Sequence, residues 1–168
     1  RHLLKRLILA HDLGTTGNKA SLYNDEGTLV ASCLSEYGTE FAHPGWAEQN
    51  PEDWWQAVCL STKQLLQESQ TAKADIACVV FSGQMMGCVP LGKDAKALRN
   101  AIIWADGRAT VQENWLAHRV SRADVYRISG HRLSASYSLA KILWIKEHQP
   151  EIYERTHKFV HAKDAMVA

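Results

Sequence analysis

The chain has 168 residues, 46% of them hydrophobic, with 19 basic against 18 acidic side chains and a formal net charge of +1 at pH 7. That length and apolar content suit a globular domain with a substantial core, and the charge balance gives no electrostatic reason to expect nucleic acid or an anionic membrane as partner. No stretch is long and apolar enough to span a bilayer, and the short run after Arg1, Lys5 and Arg6 meets His11 and Asp12 too soon for a secretory signal, so a cytoplasmic location is expected.

In chain order, Leu7-Ile8-Leu9-Ala10 predicts a buried strand running into a turn of small residues at 12–17. Residues 19–23 predict a second strand, Asn24-Asp25-Glu26-Gly27 a turn, and residues 28–34 a third strand. Apolar runs around a turn rich in Asn, Asp and Gly mark a hairpin, so a three-stranded meander is expected. After His43-Pro44-Gly45-Trp46 a helix begins: Asn50 suits the N-cap, Pro51 the first helical position, and Glu52 and Asp53 the positive end of the dipole. Trp54, Val58, Leu65 and Leu66 give it an apolar stripe as far as about Ser69, with Trp54 and Trp55 both read as packing residues. Residues 76–81 predict the next strand, ending at Ser82-Gly83-Gln84. Residues 88–91 and 101–104 predict another hairpin around Gly92-Lys93-Asp94. From Thr110 the pattern is helical, with breaks near Ser129-Gly130 and at Pro150. Lys163-Asp164-Ala165-Met166-Val167-Ala168 begins a further helix that stops mid-pattern without a cap, as expected of a truncated chain.

Cys33, Cys59, Cys78 and Cys88 are widely spaced, form no C-x-x-C pair and fall in apolar contexts, so reduced core thiols are expected. The eight histidines show no H-x₃-H spacing of the kind that binds a transition metal.

The chemistry concentrates in Asp12-Leu13-Gly14-Thr15-Thr16-Gly17-Asn18-Lys19. A carboxylate at the end of a buried strand is costly unless it has a partner or a task. The glycines permit close backbone approach to a ligand, and hydroxyl and backbone N–H donors suit phosphate oxygens. An acid at the mouth of such a loop can hold Mg²⁺ through water. The alternative is an ordinary turn feeding a hairpin. It is not a Walker loop, because no G-K-[ST] follows at the required spacing.

Asp12-Leu13-Gly14-Thr15-Thr16 followed by a hairpin resembles the first phosphate motif of the actin–Hsp70–sugar kinase superfamily. Further along, His43-Pro44-Gly45-Trp46-Ala47-Glu48-Gln49-Asn50-Pro51-Glu52-Asp53-Trp54-Trp55 resembles a segment of the FGGY carbohydrate kinases. Ser82-Gly83-Gln84-Met85-Met86-Gly87 is similar to the sugar-site turn of the xylulokinases among them, and Ile102-Ile103-Trp104-Ala105-Asp106-Gly107-Arg108 resembles a second sugar-contacting segment. Ala140-Lys141-Ile142-Leu143-Trp144 and Lys163-Asp164 fall in the family's order.

The resemblance implies an α/β, ribonuclease-H-like fold, a mixed sheet with flanking helices. Residues 1–168 would be an N-terminal sugar-binding domain, incomplete at its C-terminal end, with the second, ATP-binding domain absent. By position, Asp12 would hold the metal near the transferring phosphate. Gly14, Thr15 and Thr16 would contact phosphate oxygens, supported by Lys19. Gln84, Met85 and Met86 would line the sugar pocket, Trp104 would wall it, and Asp106 would accept a hydroxyl. Trp104 could equally be core, and Asp106-Gly107 an ordinary turn with Arg108 pairing to it. The implied ligands are a sugar, ATP and Mg²⁺, and a homodimer is compatible. Two departures stand out: Met86 replaces the usual His of xylulokinases, and nothing in the chain matches the family's catalytic Asp motif. An Hsp70- or actin-like nucleotide switch accounts for the first motif but not for Q-M-M-G or W-A-D-G-R. A non-catalytic sugar sensor acting on DNA would need a basic recognition helix, and the sequence shows none.

Overall fold

The computed structural model describes residues 6–168, so Arg1 and Lys5 lie outside it. The described chain divides into two compact units. One comprises the residues up to Gly38 together with Glu52–Gln84, and the other comprises Thr39–Pro51 and Met85–Met166.

In the first unit the expected meander is present: β1 (Leu7–Leu13), β2 (Gly17–Tyr23) and β3 (Leu29–Glu36) pair antiparallel in sequence order. The chain then crosses over through helix α1 (Pro51–Glu68) and a short 3-10 turn at Lys73–Asp75. It returns as β5 (Ile76–Gly83), parallel to β1, giving the mixed order β3-β2-β1-β5. The alternation along β1 decides what faces the helix. Leu7, Leu9, His11 and Leu13 are buried while Asp12 is exposed, because successive strand side chains point to opposite faces. Trp54, Ala57, Val58, Ser61 and Leu65 form the buried stripe of α1, and Leu65 packs with Leu7, Leu9, Ala20 and Leu22. Trp55, expected to pack, is 46% exposed, since its position one residue after Trp54 turns it off that stripe.

The second unit carries β4 (Glu48–Gln49), β6 (Val89–Leu91), β7 (Ala101–Ile102) and β8 (Lys158–Val160). Its helices are α2 (Thr110–Ala117), α3 (Arg122–Ser129), α4 (Ser138–His148), α5 (Pro150–Arg155) and α6 (Ala162–Val167). Its core gathers Cys88, Ile102, Ala109, Ala135, Ala140, Trp144 and Ile145, with Trp46, Ile152 and Phe159 packed against it. Helix α3 begins at Ser121, whose hydroxyl accepts the Asp124 N–H at 3.3 Å, and ends at Gly130 with φ 73°. These are the residue types such caps require.

The hairpin expected between residues 88–91 and 101–104 is not what forms. The turn is there, closed by Gly92 N–H to Lys96 O at 2.9 Å and Leu98 N–H to Pro90 O at 2.9 Å. Its strands find other partners, however: β6 pairs with β8, β7 pairs with β4, and only a single bridge, Cys88 with Ile102, joins the two runs directly. Cysteine placement also differs from expectation. Cys88 is buried and Cys33 half-buried, but Cys59 and Cys78 are exposed, so these two are not core thiols.

Candidate functional site

In the first unit, β1 and β2 lead into and out of the small-residue loop. Gly14 N–H donates to Gly17 O at 3.0 Å, closing it, and Tyr37 O–H donates to Gly14 O at 2.6 Å. The glycines at the loop's edges are there for close approach. A Cβ on Gly17 would lie 2.7 Å from Ser35 O, and one on Gly83 would lie 2.9 Å from Leu13 O. Neither space admits a methyl group without backbone movement.

Asp12 departs from the sequence reading in one respect. The strand continues to Leu13, and the carboxylate faces the side of the sheet away from α1, exposed. Its presence therefore carries no burial cost, and it needs no partner to offset one. Strand pairing points to a role instead. Asp12 stands opposite Lys19 on β2 and beside Ser82 on β5, and all three are exposed. A carboxylate, an ammonium and a hydroxyl thus line one open row at the loop's mouth, and Thr16 is exposed beside them. Burial pushes the Tyr37 phenol up, with the nearby Asp12 charge adding to the effect, so this tyrosine remains a neutral donor to the loop. Gln84 is tied to the loop as well: its N–H donates to Leu13 O at 2.8 Å and its amide to Gly14 O at 3.4 Å.

Beneath the loop lies a polar cluster that sequence reasoning missed. The Asn18 amide reaches His11 Nδ1 at 3.0 Å and Ser61 Oγ at 2.8 Å, and Thr62 Oγ1 lies 3.2 Å from His11 Nε2. His11 also stacks on Phe81 at 5.1 Å. Burial lowers the His11 pKa, against the opposing Asn18 hydrogen bond, so the ring is held neutral under the loop.

The second unit brings the 43–50 and 101–108 segments together. β4 pairs with β7, Ile103 N–H donates to Ala47 O at 3.1 Å and Gly107 N–H donates to Gly45 O at 2.9 Å. Gly45 has φ 77°, a turn conformation suited to glycine, and His43 sets its ring edge-on to Trp46 at 4.5 Å. At the centre sits Asp106, fully buried. Its Oδ2 accepts Ala47 N–H at 2.6 Å and Arg108 Nη2 at 2.7 Å, and its Oδ1 accepts Arg108 N–H at 3.0 Å. Arg108 goes on to Glu48 at 2.7 Å and lies over the Trp46 ring at 3.7 Å, while Arg99 also pairs with Glu48. Expected as a hydroxyl acceptor, Asp106 instead has Oδ2 joining the two segments through Ala47 and Oδ1 taken up by Arg108. Trp104, two residues before it, is 43% exposed.

Met85 and Met86 line a pocket of about 420 Å³ with Val125, Leu133, Tyr137 and His161 among its walls. Trp104 and Asp106 are not among its lining residues. Met85 is 62% exposed, and Met86 has φ 62°, in the left-handed region. Behind the turn stands Lys141, fully buried. Its Nζ donates to Met86 O at 2.8 Å and to Ser136 O. A lysine among the apolar positions of α4 was the available signal for it.

Burial lowers the Lys141 pKa to about 8, with the charges of Asp106 and Cys88 opposing and that of Arg108 assisting. The unfolded chain therefore binds one proton more between about pH 8 and the ordinary lysine value of 10.5. Stability should rise through that window, by up to about 1.4 kcal/mol per pH unit from this group. Cys88 acts oppositely. Burial pushes its thiol from 9.0 to about 12, so above pH 9 the unfolded thiol ionises first and stability falls. Urea unfolding at pH 7.5, 8.5 and 9.5 should show the rise in the difference between the native chain and Lys141→Met. A flat difference would refute a titrating, buried Lys141.

Among the described residues no three His, Cys, Asp or Glu side chains gather as a metal cluster. Mg²⁺ does not require one, since it keeps several waters and takes one or two carboxylates plus phosphate oxygens. An exposed Asp12 at a loop of donors fits that habit. Among the described residues, too, no helix is long and apolar enough to cross a membrane.

These motifs and this fold have known counterparts. The chain is 36% identical over 158 residues to the xylulose kinase of Escherichia coli K12, covering 94% of this chain and 32% of that protein. It is 35% identical over 159 residues to the xylulose kinase of Bacillus subtilis, covering 95% and 32%. A solved xyloylose kinase from Brucella ovis superposes with a TM-score of 0.89 at 27% identity, over 96% of this chain and 33% of that one. The chain thus spans about a third of the length of the relatives it matches. The mixed α/β architecture is that of sugar kinases with the actin–Hsp70-like fold. The model of the N-terminal domain of the FGGY carbohydrate kinases matches residues 7–168, and the chain belongs to that family.

Proposed function

We propose that the full-length protein transfers the γ-phosphoryl group of ATP to a hydroxyl of a sugar, a pentulose such as xylulose or a related compound. Residues 1–168 would serve as its N-terminal sugar-binding domain, with a second, ATP-binding domain outside them and the whole enzyme cytoplasmic. The observation that carries this reading is the open row of Asp12, Lys19 and Ser82 at the mouth of the Gly14–Gly17 loop, in a chain of the carbohydrate kinase family.

Asp12 would hold Mg²⁺ through water, and the ion when bound offsets phosphate charge. Thr15 and Thr16 would present donors to phosphate oxygens, Gly14, whose own N–H closes the loop, would keep the backbone there free of a side chain, and Lys19 would add a positive charge. Gln84 links the loop to the chain segment that continues into Met85 and Met86, which face the sugar. Trp104 does not line the pocket of the two methionines, so its exposed ring would meet the sugar only outside that pocket. Asp106 would hold the 43–50 and 101–108 segments together. An aspartate outside residues 1–168 takes the hydroxyl proton as general base.

Met86 also bears on which sugar binds. A thioether offers volume but no donor, so a hydroxyl that needs one is left unpaired there. A coupled ADP-release assay on the full-length protein, run with ketoses and polyols, tests both statements. Sugar-dependent turnover is expected, with a preference for a sugar other than D-xylulose. Met86→His should shift kcat/KM toward xylulose by roughly tenfold. No turnover with any sugar would refute the activity. A native preference for xylulose, unmoved by the substitution, would refute the role of Met86.

A further inference from the structure

Two consecutive carbonyls of the Met85–Gly87 turn are held by one face of α4. Met86 O accepts from Lys141 Nζ at 2.8 Å, and Gly87 O accepts from Ser138 Oγ at 2.7 Å. Ser138 and Lys141 are three residues apart, the spacing that places helical side chains side by side. Ser138 Oγ in turn lies 3.1 Å from His161 Nε2. The His161 ring accepts the backbone N–H of Asp164 in a capping box at the start of α6, and Asp164 Oδ2 accepts the His161 backbone N–H at 3.3 Å. The Ser138–His161 contact thus ties the start of α4 to the start of α6.

The direction of these bonds decides what the group can do. Serine, histidine and aspartate are neighbours here, but the serine proton is spent on Gly87 O. Such a set cannot generate a nucleophile. Its output is a fixed backbone. Met86 is where fixing is needed, because φ 62° is a conformation unfavourable for a residue with a side chain. Among the described residues two other non-glycine positions have a positive φ. Gln70 follows the end of α1 and Ala95 lies in the Gly92–Lys96 turn, and both are exposed at surface turns. At Met86 the residue is half-buried, and its carbonyl is held by a fully buried lysine.

We propose that Ser138, Lys141 and His161 are positioning residues that clamp the Met85–Gly87 backbone in the conformation presenting Met85 and Met86 to the sugar. The proposal rests on the reading of these methionines as sugar-facing. Released from the clamp, Met86 relaxes to negative φ, and both side chains leave their places on the pocket wall.

The test uses the full-length protein carrying Lys141→Met or Ser138→Ala, with thermal unfolding as a check on the fold. If Lys141→Met does not fold, Ser138→Ala carries the test. Amide hydrogen exchange over residues 85–88 reads the clamp without ligand, and KM values for sugar and ATP read its effect. Faster exchange and a roughly tenfold higher sugar KM are expected, with the ATP KM within about twofold. His161→Gln keeps a hydrogen-bonding group toward Ser138 and should stay near the native protein, whereas His161→Leu should behave like Ser138→Ala. Unchanged exchange overturns the clamp. Faster exchange without a change in sugar KM, or equal rises in both KM values, overturns its role in positioning. If the native protein turns over no sugar at all, the reading of the site has failed, and the exchange rates still decide whether the clamp exists.

Discussion

Asp106→Ala is expected to lower the unfolding free energy of the chain by about 3–5 kcal/mol, the scale for removing one partner of a buried ion pair. The substitution leaves the Arg108 guanidinium, whose side chain is 1% exposed, facing Glu48 alone. It also strips the Ala47 N–H of its acceptor in the interior. One desolvated group loses its acceptor and the other loses one of its two carboxylate partners, and the two sit in the same network, so their costs combine. Urea denaturation of the native and substituted chains measures the loss. A change below about 1 kcal/mol would mean that the cluster tolerates the hole. Asp106 would then return to the hydroxyl-accepting role that its neighbourhood in the sequence suggests.

Asp12→Asn tests the other unit. If this carboxylate holds Mg²⁺ beside the transferring phosphate, kcat of the full-length enzyme should fall by roughly two orders of magnitude or more, as when an electrostatic contribution is removed from the transition state. The fold should be untouched, because the side chain is exposed and the amide is the same size. Stability and turnover therefore separate here in the opposite sense to Asp106. Near-native kcat in the folded variant would make Asp12 an exposed residue of the inner strand β1 with no part in the chemistry.

Local pattern carried the first unit well. The meander, the N-terminal end of α1 and the strand at residue 76 all follow from alternation, turn chemistry and a proline at the first helical position. What escaped was non-local pairing. Glu48–Gln49 and Lys158–Val160 are too short to show a period, yet they captured the strands that residues 88–91 and 101–104 were expected to offer each other. The candidate site divides along the same line. The small-residue loop is visible because its residue types are unusual in a strand connection. The commitments of Asp106 are not visible, because an acid before glycine looks the same whether it faces a ligand or an arginine two residues on. Ser138 and Lys141 lie 51 and 55 positions along the chain from the carbonyls they hold, and His161 lies further still. No spacing rule reaches that far.

The left-handed backbone at Met86 also restricts which residues can be exchanged there, whatever the sugar. Glycine adopts φ 62° freely, and asparagine, aspartate and histidine are the side chains found most readily in that region. Valine, isoleucine and threonine, branched at Cβ, are disfavoured before any contact with substrate is considered. A saturation library at position 86, selected for folded protein without sugar, should therefore return the first group and lose the second. Altering specificity through this position is a choice among few residues, and histidine is one of those the backbone already accepts.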